Sequence, residues 1–156
     1  MKSWVKSSLA AAGVALLLAG CAGPRYVDVA ARIPALEAAE GRIYFYQPKT
    51  PNGGKIAQPT ILVDGAKVGR SKPGNFFFVD RAPGQLAVIT ATDRKERKEP
   101  LTVPLAAGQT QYVRVDISGG RQVLQLEASP EAAQQALSDL RYWGASRRER
   151  EQLRYE

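Results

Sequence analysis

The sequence predicts an all-β fold: an antiparallel β-sandwich of about seven or eight strands with a C-terminal α-helix packed on it. Three observations point there. Short β-branched and aromatic runs recur through residues 41–128 at intervals of roughly ten residues. Clusters of Gly, Pro, Asn and Asp separate them. No long helical pattern lies between the runs, which argues against a parallel sheet, and the one amphipathic helical stretch comes after the last of them.

Arg42 to Gln47 is the first run, with Ile43-Tyr44-Phe45-Tyr46 at its centre and Pro48 after it. Pro48 to Gln58, rich in Pro, Gly, Lys and Asn, reads as a loop. Thr60–Val63 and Ala66–Gly69 flank Asp64-Gly65, a strong hairpin signal because such turns need positive φ. Phe76–Val79 follows a Lys-Pro-Gly-Asn turn. Gln85 to Thr92 alternates, with Leu86, Val88 and Thr90 on one face. The charged run Asp93 to Glu99 reads as a solvated turn or strand end. Leu101–Val103, flanked by Pro100 and Pro104, has the character of an edge strand. Gln111 to Ile117 alternates Val113, Val115 and Ile117 inward against Tyr112, Arg114 and Asp116 outward, and Arg121 to Glu127 is the last strand.

The end of the chain predicts a helix. Ser129 suits the N-cap, Pro130 the first helical position, and Glu131 complements the helix dipole. Ala133, Ala136, Leu137, Leu140 and Trp143 fall on one stripe that would anchor the helix to the sandwich, and Gly144 stops it. Ser146 and Glu149 suggest a capping box for a second, highly charged helix to about Tyr155.

The N-terminus is set apart from this domain. Lys2 and Lys6 make a positive n-region, and Leu9 to Ala19 is almost wholly apolar. That run is too short for a permanent span, which takes about 20 residues. Leu18-Ala19-Gly20-Cys21 ends it with small residues at a cleavage position. The quartet resembles a lipobox, the motif of bacterial lipoproteins, and the resemblance implies a diacylglycerol thioether on Cys21 followed by cleavage before it. Residues 1–20 are then a lipoprotein signal peptide, 21–40 a lipidated tether, 41–128 the β-sandwich domain and 129–156 a C-terminal helical segment. Pro34 to Glu40 could add one or two helical turns to the tether. Fully stretched, such a tether reaches roughly 60 Å at about 3.3 Å per residue.

Composition removes several function classes. Cys21 is the only cysteine, so no intramolecular disulfide forms, and there is no histidine. A Ser–His–Asp or Cys–His arrangement therefore cannot be built, nor a zinc site with Cys or His ligands. The formal net charge is +7 over 156 residues, and +5 without Lys2 and Lys6. With no basic stripe interleaved with aromatics, nucleic acid is not an expected partner. Mild attraction to anionic lipid or polymer is compatible with that charge.

No set of residues forms a catalytic or metal-ligating signature. Tyr44 and Tyr46 share one strand face, where they are either a stacking platform for a ligand or a packed face covered by the C-terminal helix. Phe76-Phe77-Phe78 puts aromatics on both faces of a strand, so either both faces are covered or one is an apolar patch. Asp64, Asp80, Asp93 and Asp116 sit at or near strand ends, and nothing in their spacing makes them converge as acid–base work requires. Arg141, Arg147, Arg148, Arg150 and Arg154 alternate with Glu149, Glu151 and Glu156. They read as a solvated helix laced with ion pairs or as a contact for anionic lipid or another envelope protein.

Six segments occur in order behind the lipobox: Gly-Arg-Ile-Tyr-Phe-Tyr-Gln-Pro (41–48), Leu-Val-Asp-Gly (62–65), Val-Gly (68–69), Phe-Phe-Val-Asp-Arg-Ala-Pro-Gly (77–84), Ala-Ala-Gly-Gln-Thr-Gln-Tyr-Val-Arg-Val-Asp (106–116) and Leu-Arg-Tyr (140–142). As a set they resemble a bacterial lipoprotein family carrying a domain of unknown function (DUF2846-like). A looser resemblance holds to PEGA-type modules, which implies a transthyretin-like or immunoglobulin-like sandwich with a binding or spacing role. Neither supplies catalytic residues. The expectation is a non-enzymatic envelope lipoprotein whose only non-protein group is the covalent lipid on Cys21. Its partner would be the membrane together with an envelope protein or peptidoglycan. Ala22 rather than Asp after the modified cysteine implies, by the same resemblance, the outer membrane and its periplasmic side. A binder of carbohydrate or peptidoglycan fragments through Tyr44 and Tyr46 is the alternative, and a carboxylate hydrolase a third. Oligomeric state is not legible.

Overall fold

The computed structural model describes residues 23–50 and 58–144. The segment expected to be a signal peptide, Cys21, and the segment expected to form a second charged helix lie outside the described residues. Among the described residues, nine strands form two facing sheets: β1 (Gly41–Gln47), β2 (Thr60–Val63), β3 (Ala66–Arg70), β4 (Asn75–Arg81), β5 (Gly84–Thr90), β6 (Leu101–Leu105), β7 (Thr110–Ser118), β8 (Arg121–Leu126) and β9 (Arg141–Tyr142). Three short helices join them: α1 (Tyr26–Val29), continued by a 3-10 turn over Ala30–Arg32, α2 (Ala91–Lys95) and α3 (Pro130–Leu137). The first sheet has the order β8-β7-β1-β4-β9 and the second β3-β2-β5-β6. The β-sandwich with a C-terminal helix is therefore what the strand pattern predicted.

The chain changes sheets three times before β7, and this sets the strand directions. From β6 it returns through the Ala106–Gln109 turn to the start of β1. There the Gly108 N–H donates to the Glu40 carbonyl at 2.8 Å, and the Arg42 N–H to the Gln109 carbonyl at 2.9 Å. β7 consequently starts beside the start of β1 and runs parallel to it, Arg42 opposite Thr110. β9 is likewise parallel to β4. The first sheet is thus mixed rather than purely antiparallel, although the other five pairings are antiparallel. Asp64 (φ 49°) and Gly65 (φ 81°) make the expected hairpin turn between β2 and β3.

Every residue of β1 is buried. Ile43 and Phe45 point between the sheets with Phe77, Val113 and Val115, where Phe45 and Phe77 stack at 5.0 Å. The second sheet contributes Ile61, Val63, Val68, Leu86, Val88, Val103 and Leu105. Gly69 lets β3 close on the Phe77 ring, since a Cβ there would lie 2.8 Å from it. The opposite face of β1 is buried as well, under a third layer made by the two ends of the described chain.

Two boundaries differ from expectation for clear reasons. The C-terminal helix stops at Leu137 rather than running to Trp143. The Ser138 Oγ donates to the Gln135 carbonyl at 2.7 Å, and the chain turns so that the Arg141 N–H reaches the Gly74 carbonyl at 3.0 Å. The open edge of β4 thereby gains a strand, and Trp143 is not a helix anchor. The long strand from Gln85 stops at Thr90, whose Oγ1 caps α2 by accepting the Asp93 N–H at 3.0 Å. The charged run therefore begins as a helical turn.

Residues 23–33 pack on the domain. The Tyr142 N–H donates to the Pro24 carbonyl at 2.8 Å, the Tyr26 N–H to the Leu140 carbonyl at 2.8 Å, and Val29 is fully buried. The helical turns fall at Tyr26–Arg32, ahead of the Pro34–Glu40 stretch, which forms none.

Phe45→Ala removes a stacked ring with no solvent exposure. Urea unfolding should show a loss of about 3–5 kcal/mol. A loss below about 1 kcal/mol would mean that this position is not enclosed as described.

Candidate functional site

The outer face of the first sheet carries most of the distinctive side chains. Alternation along β1 and β4 puts Arg42, Tyr44 and Tyr46 beside Asp80, Phe78 and Phe76. Tyr112 stands next to Tyr44, ring centroids 5.4 Å apart and ring planes nearly parallel. The layer above is built from both ends of the described chain. The Tyr26 ring meets Phe76 edge-on at 5.4 Å and Tyr44 at 6.3 Å. Tyr142 packs on Phe76 and Phe78, and α3 lays Ala133 and Leu137 over the rest.

This geometry corrects the picture of Tyr44 and Tyr46 as an open platform. The two do share a face, but Tyr44 is 6% and Tyr46 1% exposed. Their ring faces meet other side chains. Phe76, Phe77 and Phe78 are likewise covered from both sides, with α1, α3 and β9 sharing the cover that a single helix was expected to give.

The polar groups on this face are satisfied locally. Arg42 donates from Nε and Nη2 to the two carboxylate oxygens of Asp80 at 2.6 and 2.7 Å, and its guanidinium lies 4.5 Å over the Phe78 ring. Tyr46 donates its hydroxyl to Glu127 at 2.9 Å, and Arg114 donates to Asp116 at 2.7 Å. Burial, reinforced by Tyr26, pushes the Tyr44 hydroxyl up to about 12. Burial and then the hydrogen bond to Glu127 push Tyr46 up to about 12 as well.

The four strand-end aspartates are held apart by separate partners. Asp64 accepts the Ala87 N–H, Asp80 pairs with Arg42, and Asp116 pairs with Arg114. Asp93 is clamped by Lys98 at 2.6 Å and by Thr90 at 2.8 Å. Burial opposes its ionisation, but those two hydrogen bonds outweigh it and hold the carboxyl below its usual range. Among the described residues, no group of three or more acidic or cysteine side chains is placed to hold a metal ion.

The sandwich is open at its two side edges. At one, a cleft of about 410 Å³ lies between α2 and β8, with Asp93, Lys98, Glu99 and Arg121 in its wall. At the other, a groove of about 460 Å³ runs between β3 and Trp143, lined by Lys67, Val68, Gly69, Arg70 and Trp143. Neither was read from the sequence. Both bring together residues distant in the chain, and only the Thr90-x-x-Asp93 spacing, a capping-box pattern, hinted at the helix that walls the first.

Two measurements test this description. Arg42→Ala leaves Asp80 without its partner, and the expected loss of stability is about 2–3 kcal/mol. That is below the ~3–5 of a wholly buried pair because the Asp80 side chain is 25% exposed. A neutral result would contradict the pairing. The tyrosines give a pH signature. An unperturbed tyrosine ionises near 10.0, so between pH 10 and about 12 the unfolded chain gives up protons that the folded one keeps. The stabilisation linked to Tyr44 and Tyr46 is complete below pH 10 and falls as pH rises towards 12. The double variant Tyr44→Phe, Tyr46→Phe should show a shallower alkaline decline in urea midpoint than wild type. An unchanged decline would contradict the burial of these hydroxyls.

A comparison with known families matches residues 37–128, a span that holds β1 to β8, to the family described as Protein of unknown function (DUF2846). No curated protein and no solved structure matches the chain. The matched span leaves out α1, α3 and β9, the pieces that close the aromatic face. It covers more than half of the chain, and the chain belongs to the DUF2846 family of unknown function.

Proposed function

We propose that this protein is a bacterial envelope lipoprotein, acylated on Cys21 and held on the periplasmic side of the outer membrane. It presents a non-enzymatic β-sandwich as a binding or scaffolding module to another envelope component, a protein or peptidoglycan. The observation that carries the reading is the order of Lys2 and Lys6, the apolar run Leu9–Ala19 and the Leu-Ala-Gly-Cys quartet ahead of a folded domain. Two or three acyl chains, at about 0.8 kcal/mol per buried CH₂, hold a protein stably where one chain holds it marginally. Acylation also accounts for a solitary cysteine, which in an oxidising compartment would be an unpartnered thiol. Ala22 favours the outer membrane.

A non-enzymatic role is supported by the state of the polar groups. Asp64, Asp80, Asp93 and Asp116 are each bound to a different partner, so no two of them share a site. A carbohydrate or peptidoglycan-fragment site at Tyr44 and Tyr46 loses its support, because the rings are buried. Among the described residues, the surfaces open to a partner include the side edges of the sandwich and its loops.

Cell fractionation of wild type beside Cys21→Ser tests the anchor. Wild type should sediment with membranes and the variant should stay soluble. A variant that remains with the membranes through a high-salt wash would show that another segment anchors the protein.

A further inference from the structure

We propose, on the lipid-anchor reading above, that the domain lies with its β3–β9 edge against the bilayer, and that the groove between β3 and Trp143 takes phospholipid headgroups of that bilayer. The stretched-tether picture gives about 60 Å of reach, but the structure leaves very little of it. The chain is locked from Gly23 onward. Arg141 donates from Nη1 to the Gly23 carbonyl at 2.9 Å, Tyr142 donates its N–H to the Pro24 carbonyl, and Arg25 forms an isolated antiparallel bridge with Arg141 at the edge of β9. A Cβ on Gly23 would collide with the Tyr142 carbonyl, so the contact is backbone on backbone. Only Ala22 separates Gly23 from Cys21, a reach of about 7 Å over the two steps. A lipid on Cys21 therefore enters the membrane beside β9, not at the end of a long leash.

The chemistry of that edge suits a headgroup layer. The groove wall carries the cations of Lys67 and Arg70, both exposed, and no carboxylate among the described residues. The Lys72 ammonium sits 3.8 Å from the centroid of the Trp143 ring, pairing a cation with an indole, the residue type that gathers at membrane interfaces. Val27, on the helix next to the anchored strand, is 54% exposed and the most exposed large hydrophobic side chain among the described residues. The opposite edge, at β8, has mixed charge, with Asp93 and Glu99 among Lys98 and Arg121. It lies four strand spacings away, about 19 Å, and faces the periplasm.

Trp143 supplies the test. The sequence has tryptophans only at 4 and 143, so removal of the signal peptide leaves one. The mature protein, its acylation on Cys21 verified by mass spectrometry, is reconstituted in phosphatidylethanolamine–phosphatidylglycerol vesicles doped with a headgroup-nitroxide lipid. Trp143 fluorescence should lose the larger part of its intensity, while a fluorophore on Gln125→Cys, exposed on β8, keeps most of its own. Inserting about ten Gly and Ser residues between Ala22 and Gly23 should restore much of the Trp143 signal without releasing the protein from the vesicles. The acylated Lys67→Glu, Arg70→Glu variant should stay bound with weaker quenching. If acylated protein shows equal quenching at Trp143 and at position 125, the edge-on arrangement is wrong while the anchor stands. Unchanged quenching in the charge-reversed variant removes the headgroup groove. An unmodified Cys21 overturns both readings together.

Discussion

Burial of β1 on both faces sets the layering of this protein. A strand in a two-layer sandwich needs cover only on its inner side, and its outward residues can be polar. In β1 the outward set is Arg42, Tyr44 and Tyr46, and all three are buried. Two aromatic rings and a guanidinium must therefore be covered, and their polar atoms must find partners under the cover. Asp80 and Glu127 satisfy the arginine and one tyrosine. The hydrophobic cover comes from Tyr26, Val29, Ala133, Leu137, Leu140 and Tyr142, residues from the two ends of the described chain.

That requirement links fold to function. Because both ends close the aromatic face, the face is not available to a ligand, and the surfaces open to partners move to the sides of the sandwich. Because closing it pins the N-terminal segment to β9, the exit of the chain towards Cys21 has a fixed place. On the lipid-anchor proposal, a lipid attached two residues earlier would restrict how the domain stands on a membrane. Core packing at Tyr44 and Phe76 and the proposed orientation at the bilayer would then be consequences of one arrangement.

Much of the sandwich was legible in the residues, for local reasons. Alternation in Gln85–Thr92 put Leu86 and Val88 on one face, and alternation in Gln111–Ile117 placed Val113 and Val115 inward; all four are buried. Asp64-Gly65 marked its hairpin, since positive φ at two successive positions strongly selects such residues. Pro104 was read as the end of a strand, yet β6 continues to Leu105. Being an edge strand, it can hold a proline whose missing N–H points away from β5. What was not legible depends on long-range pairing. Parallel contact between β1 and β7 follows from where the chain re-enters the first sheet. The stripe Ala133, Ala136, Leu137, Leu140, Trp143 fits a helix well, but its last part is taken by the open edge of β4. Tyr44 and Tyr46 fitted a platform or a covered face, with the covered face the favoured reading, and the positions of Tyr26 and α3 decide for it.

The claim that the chain's own ends complete the core is tested most directly on the family-matched span alone. Residues 37–128, expressed without the flanking segments, retain β1 to β8 but lack α1, α3 and β9. Compared with residues 22–156 by urea unfolding, this fragment should show no cooperative transition or one at a far lower midpoint. A fragment that unfolds cooperatively at the same midpoint would contradict the account, because the aromatic face of β1 would then need no cover from either end of the chain.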